Sequence, residues 1–185
     1  GLGLSLYVDN RFASVSTSDL RREAIQPFIV DAVAMTRTLS EDPFRTLPDP
    51  ALYANRPTLD LEFADPDYRA MTAARRRDLA RAIEDAARGV PNAERILSVT
   101  TSVSDSRSEM FRVTSNGFEG ERIDTSFWLS GSVTVRDDDG RRPEDGDFSG
   151  GRFVRQLGDP VLVGESSAKR ALARLGSTKV PSGIM

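Results

Sequence analysis

Apolar and polar positions alternate in the opening stretch, GLGLSLYVDNRFASVSTSDL. Leu2, Leu4, Leu6 and Val8 are separated by Gly3, Ser5 and Tyr7, the period of a half-buried strand. Asp9-Asn10 is a turn pair, and Phe12 to Thr17 reads as the return strand of a hairpin. The period then lengthens. Ile25, Phe28, Ile29, Ala32, Val33, Thr36 and Leu39 fall on one helical stripe, with Pro27 either starting the regular helix or kinking its first turns. Residues 40–58 hold four prolines and predict a long excursion, with a short helical turn at Asp49-Pro50.

A second helix is predicted from about Thr72 to Arg88, with Leu79, Ile83, Ala86 and Ala87 inward and Gly89 as its stop. From Ile96 the pattern turns to strands: ILSVTTSVSDS, MFRVTSN and the long ERIDTSFWLSGSVTVRD, with turn signals at Asn116-Gly117 and Asp139-Gly140. Trp128, with Phe127 and Leu129, is expected in the core. Residues 144–153 read as a glycine-broken strand or loop. A last helix has Asp159 as N-cap and Pro160 in its first position, with Leu162, Ala168, Ala171, Leu172 and Leu175 inside and Gly176 past its end. An apolar segment, VPSGIM, follows. The order ββ-α-α-βββ(β)-α, with hairpins joining neighbouring strands, predicts an α+β fold: an antiparallel sheet with helices on one face. Residues 1–185 read as a single domain with 40–58 as an internal excursion.

Composition narrows the chemistry more than it names it. The net charge is −3, which argues against a nucleic-acid partner. No apolar run approaches the roughly 18 residues of a membrane span. The chain has neither cysteine nor histidine, so it lacks the commonest zinc ligand and general base, and no Ser-His-Asp or Cys-His machinery can be assembled.

Four clusters invite a chemical reading. The acids Asp137, Asp138, Asp139, Glu144, Asp145 and Asp147 could attract a hard cation, but calcium-loop spacing fails and a solvated hairpin tip accounts for them better. Ser166 and Lys169 match S-x-x-K, the pattern of serine acyl-enzymes, without its companion motifs. Arg75, Arg76 and Arg77 spread around a helix and cannot share one groove. In DFSGGRF, the glycines suit a bulge or an edge for peptide docking. The positions expected to touch a peptide or partner are therefore Phe148, Gly150, Gly151 and Arg152, with the turn Asn116-Gly117. No catalytic or metal-binding residue is assigned.

Five stretches, in order, resemble the TldD/PmbA family. These are GLGLSLYVDNRFASVSTSDL, LSEDPFRTLPDP, LDLEFADP, VTSNGFEGERIDTSFWLSGSVTV and ARLGSTKVPSG. The STSDL and EDPFRTLPDP stretches are closer to the PmbA branch, also called TldE, than to TldD. The resemblance implies an N-terminal domain whose residue 1 is an internal position, with a further domain after Met185. It implies a cytoplasmic metallopeptidase in which TldD and TldE form a heterodimer around a cavity for an unfolded peptide. TldD carries the zinc, through an H-E-x-x-x-H motif matched nowhere in this chain. The expected role is the non-catalytic TldE-like partner, with a TldD-like zinc subunit or a second copy as its dimer mate. Two alternatives stay open: the N-terminal domain of the zinc-bearing catalytic subunit, and a non-enzymatic interaction module. The family's label as a modulator of DNA gyrase fits an acidic chain poorly.

Overall fold

Strand β1 (Leu2–Val8) pairs antiparallel with β2 (Arg11–Thr17), in register from Leu2↔Thr17 to Val8↔Arg11. The computed structural model describes residues 1–55, 59–178 and Gly183. The two loop residues Asp9 and Asn10 have φ of 48° and 57°. That is the left-handed pair a two-residue hairpin needs for its twist to match the strands, and short Asx side chains tolerate it best.

The chain divides into two compact units, where the sequence pattern reads as one. The first comprises 1–58 with 113–119, and the second comprises 59–112 with 120–185. In the first, helix α1 (Arg22–Thr36) packs on β1 and β2 with Ala32 and Thr36 buried. Pro27 lies inside α1, where it withholds one backbone donor without ending the helix. Leu39 lies beyond the helix end and is exposed. The excursion is tied back to the hairpin. Arg11 donates to the Leu39 carbonyl (2.8 Å) and pairs with Glu41, while the Asp42 N–H donates to the Asn10 carbonyl (2.7 Å). The predicted turn forms at Pro50–Leu52, with the Asp49 carboxylate accepting from the Ala51 N–H. Residues 56–58 lie outside the described part.

In the second unit, α2 (Ala73–Arg88) begins at Thr72, whose hydroxyl accepts from the Arg75 N–H, and ends at Gly89. Strands β3 (Ile96–Val113), β4 (Glu119–Val135) and β5 (Glu144–Gly151) form a sheet in that order. β4 and β5 are antiparallel, from Phe127↔Gly151 to Thr134↔Glu144. Ile96 to Val113 is one continuous strand, not the two segments predicted, and the glycine-broken stretch is β5. Helix α3 (Pro160–Leu172) starts at Asp159, whose carboxylate accepts from the Val161 N–H. The fold is α+β and antiparallel, as predicted, with two sheets in place of the one expected. Among the described residues no helix is long and apolar enough to cross a membrane.

Helices α2 and α3 pack together on one face of this sheet. The core is small and aliphatic: Ala87, Val133, Val135, Ala168 and Ala171 in one cluster, Ile83, Leu129 and Val163 in another. The helices approach so closely that a Cβ on Gly164 would stand 2.2 Å from the Ile83 carbonyl oxygen. This sets the rotation of α3. Val163, Gly164, Ser167, Ala168 and Ala171 face inward, and Leu162, predicted inside, is 63% exposed. The buried Ser167 hydroxyl lies 2.7 Å from the Val163 carbonyl and 3.0 Å from that of Gly131, and accepts from the Asp147 N–H. The predicted VPSGIM segment lies outside the described residues, apart from Gly183.

Candidate functional site

Strand parity sends odd positions of β4 to the helices and even positions to the other face. Phe127 and Leu129 are fully buried, as expected. Trp128 is not core: it is 48% exposed on the helix-free face, because it falls between two inward positions. That face carries Ser98, Thr100, Ser102 and Ser104 along β3 and Ser126, Ser130 and Ser132 along β4, small neutral hydroxyls with few charges. The hydroxyls of Ser106 and Ser126 meet across the strands at 2.9 Å.

Within this field, Trp128 and Phe148 form one aromatic step, their rings 6.0 Å apart at 43°. Gly150 lies opposite Trp128 in the register, and a Cβ there would meet the indole ring at 2.3 Å. The glycine is thus the seat of the tryptophan, an aromatic side chain covering a cross-strand glycine. A Cβ on Gly151 would strike the Gln156 side chain at 2.6 Å. The Gln156 side-chain oxygen Oε1 accepts from the N–H groups of Arg152 (2.8 Å) and Phe153 (3.1 Å). The Arg152 guanidinium lies 4.7 Å over the ring of Phe63. Phe148, Gly150 and Gly151 lie on β5, and Arg152 directly follows it. Asn116 and Gly117 belong to the other unit, where Gly117 has φ of 94° and Asn116 donates to the Pro48 carbonyl (2.6 Å).

A recess of about 870 Å3 was not anticipated from sequence. Its walls come from the 60–69 segment, Arg107 and Glu109 of β3, Ile123 of β4, and Phe153 and Arg155. Two nearly buried polar residues hold the frame. Thr125 accepts from the Asp65 N–H (2.8 Å) and donates to the Arg152 carbonyl (2.7 Å), while the Asp65 carboxylate accepts from the N–H groups of Val154 (2.7 Å) and Asp67 (2.8 Å). Tyr68 is hydrogen-bonded to Asp105, which also pairs with Arg76. The bond to that carboxylate, then burial, raises the phenol above its ordinary value.

The other sequence candidates have structural partners. Lys169 pairs with Glu165 at 2.7 Å, and the Ser166 hydroxyl bonds to Asp147 and lowers that carboxyl's pKa. The S-x-x-K pair is thus spoken for by two different acids. Asp137 corrects the solvated-tip reading: it is buried, accepts from the Gly176 N–H (3.1 Å) and is paired with Arg141. It therefore ties the β4–β5 turn to the end of α3, while Asp145 pairs with Arg170 and Arg174. Zinc does not suit this donor set. The sequence has no histidine or cysteine, and among the described residues no three carboxylates converge as a metal site.

The family pattern described as the PmbA/TldA metallopeptidase central domain matches residues 66–175. The chain belongs to the PmbA/TldD family. It is 30% identical to the metalloprotease PmbA homolog of Haemophilus influenzae and 29% identical to metalloprotease PmbA of Escherichia coli O157:H7. Each match takes in 97% of this chain and 39% of the relative, so the chain spans about two-fifths of their length. A crystal structure from Bacteroides thetaiotaomicron, described as a modulator of DNA gyrase, superposes with a TM-score of 0.87 at 34% identity. That match covers 98% of this chain and 41% of the other. A similarly described protein from Thermotoga maritima shares the fold, with a TM-score of 0.70 at 16% identity over 97% and 38% of the two chains.

Proposed function

We propose that this chain, in which residues 66–175 match the family's central domain, is part of a PmbA/TldD-type metallopeptidase subunit, the non-catalytic TldE-like partner. It helps form the dimer and walls the cavity that holds an unfolded peptide. The observation that carries this reading is the helix-free sheet face: a field of small hydroxyls with the Trp128–Phe148 step, bounded by edge strands. Hydroxyls both donate and accept, so they hydrate or grip a peptide backbone of any sequence. The outer edge of β3 adds main-chain groups along which an extended segment can pair. The aromatic step supplies grip for apolar side chains at little conformational-entropy cost.

In this reading the zinc sits on a TldD-like partner subunit. The same reading sets the complex in the cytoplasm, where a chain without cysteine needs no disulfide. Trp128 is the sole tryptophan, so intrinsic fluorescence reads this face directly. An unfolded peptide should give a saturable change in emission that Phe148→Ser weakens. Unchanged emission at high peptide concentration would remove the sheet face from the account.

A further inference from the structure

The recess framed by Asp65 and Thr125 contains charged groups whose partners can be audited one by one. Arg107 is paired with Glu109 at 2.6 Å, and the Asp65 carboxylate is occupied by two backbone N–H groups. Asp60 accepts from the Glu62 N–H within its own turn. Two guanidiniums remain, together with the Glu62 carboxylate. Neither Arg69 nor Arg155 has a carboxylate partner among the described residues, although both line the same recess.

Arg155 is also prepared. Its guanidinium carbon lies 4.0 Å over the ring of Phe153, and that phenylalanine is 7% exposed. The stack screens one face of the cation and leaves its in-plane N–H donors free. Its backbone is fixed by the Asp65 bond to Val154 and the Gln156 bonds to Arg152 and Phe153. A planar fork of donors, held flat and lacking a counter-charge, matches a carboxylate in shape and sign. The walls near it are apolar, with Pro66, Ile123 and Phe153. Asp60 and Glu62, on the same 60–69 segment as Arg69, favour donors in the remainder of the ligand.

We propose that Arg69 and Arg155 form a subsite for a carboxylate, most simply the C-terminal carboxylate of a peptide. The choice of a peptide rests on the peptide-holding reading above. The carboxylate chemistry does not, so the test uses probes too short to need the sheet face. The 185-residue chain is titrated with an N-acetylated dipeptide acid and with its amide, and the arginine Nε–H resonances are followed by NMR.

The acid should shift arginine signals saturably, with about tenfold higher affinity than the amide. That preference should vanish in Arg155→Gln and in Arg69→Gln and persist in Arg75→Gln, a surface control on α2. Arg155→Lys keeps the charge without the planar fork and should retain only part of the preference. It also carries the test should Arg155→Gln fail to fold. Equal response to acid and amide, or a preference that survives loss of both arginines, would overturn the subsite. An amidated dipeptide ending in glutamate separates the two carboxylate sources. Binding like the free acid assigns the subsite to acidic side chains, and no binding assigns it to the chain terminus. Failure here with an intact Trp128 response to long peptides removes the subsite alone. The converse removes the sheet face alone.

Discussion

Replacing Thr125 with valine removes one hydroxyl and almost nothing else. Threonine and valine share shape and β-branching, so β4 keeps its backbone preference. The residue is 2% exposed, so water cannot simply take the place of the lost group. Two bonds go together, from the Asp65 N–H (2.8 Å) and to the Arg152 carbonyl (2.7 Å). A buried polar group left unsatisfied costs about 1–3 kcal/mol. The Asp65 N–H bears that cost in full, whereas the carbonyl of the exposed Arg152 can turn partly to water. The sum is about 2–3 kcal/mol, which for a chain of this size lowers Tm by about 4–12 °C. Thr125→Ser keeps the hydroxyl and loses one methyl, for about 1 kcal/mol. Thermal and urea unfolding followed by circular dichroism should rank the wild type above Thr125→Ser and Thr125→Ser above Thr125→Val. A valine variant as stable as the wild type, or more stable than the serine variant, would refute the network as a structural pin.

Gly164→Ala should destabilise by about 1–3 kcal/mol, read from urea midpoints, because its Cβ would meet the Ile83 carbonyl oxygen at 2.2 Å between two packed helices. Gly150→Ala should displace the indole it seats and shift Trp128 emission to the red, since that Cβ falls 2.3 Å from the ring. The Asp145 carboxyl is held below its ordinary value by the Gly146 N–H and then by Arg170 and Arg174. It binds protons less readily folded than unfolded, so its contribution is fully present above the ordinary value of 3.8 and is lost as pH falls through the lower folded one. Asp145→Asn should therefore lower Tm at neutral pH and flatten its fall below about pH 4.

Local chemistry explains why so much of the fold could be read in advance. Asp9-Asn10, Asp49, Thr72, Asp159 and Gly176 act through hydrogen bonds or dihedral angles within a few residues, and each punctuates the chain where the sequence places it. Trp128 shows the opposite case. Its size suggests core, yet the inward positions Val133 and Val135 already fix the parity that turns it outward. In α3 the buried stripe includes Gly164 and Ser167, which carry no apolar signal, so the phase is drawn to Leu162 instead. The recess was illegible for a different reason. Asp65, Thr125, Arg69 and Arg155 are far apart in sequence, and each alone reads as an ordinary surface residue. Of the expected contact residues, Phe148 and Arg152 have exposed side chains, while Gly150 and Gly151 serve close packing and Asn116-Gly117 shapes a turn in the other unit.

Metal content tests the division of labour most directly. The complete protein to which this chain belongs, purified alone, should contain no stoichiometric zinc. Zinc and cleavage of unfolded peptides should appear together once a TldD-like subunit is added. About one zinc per chain in the isolated protein would contradict the account, because the subunit would then carry the catalytic site itself.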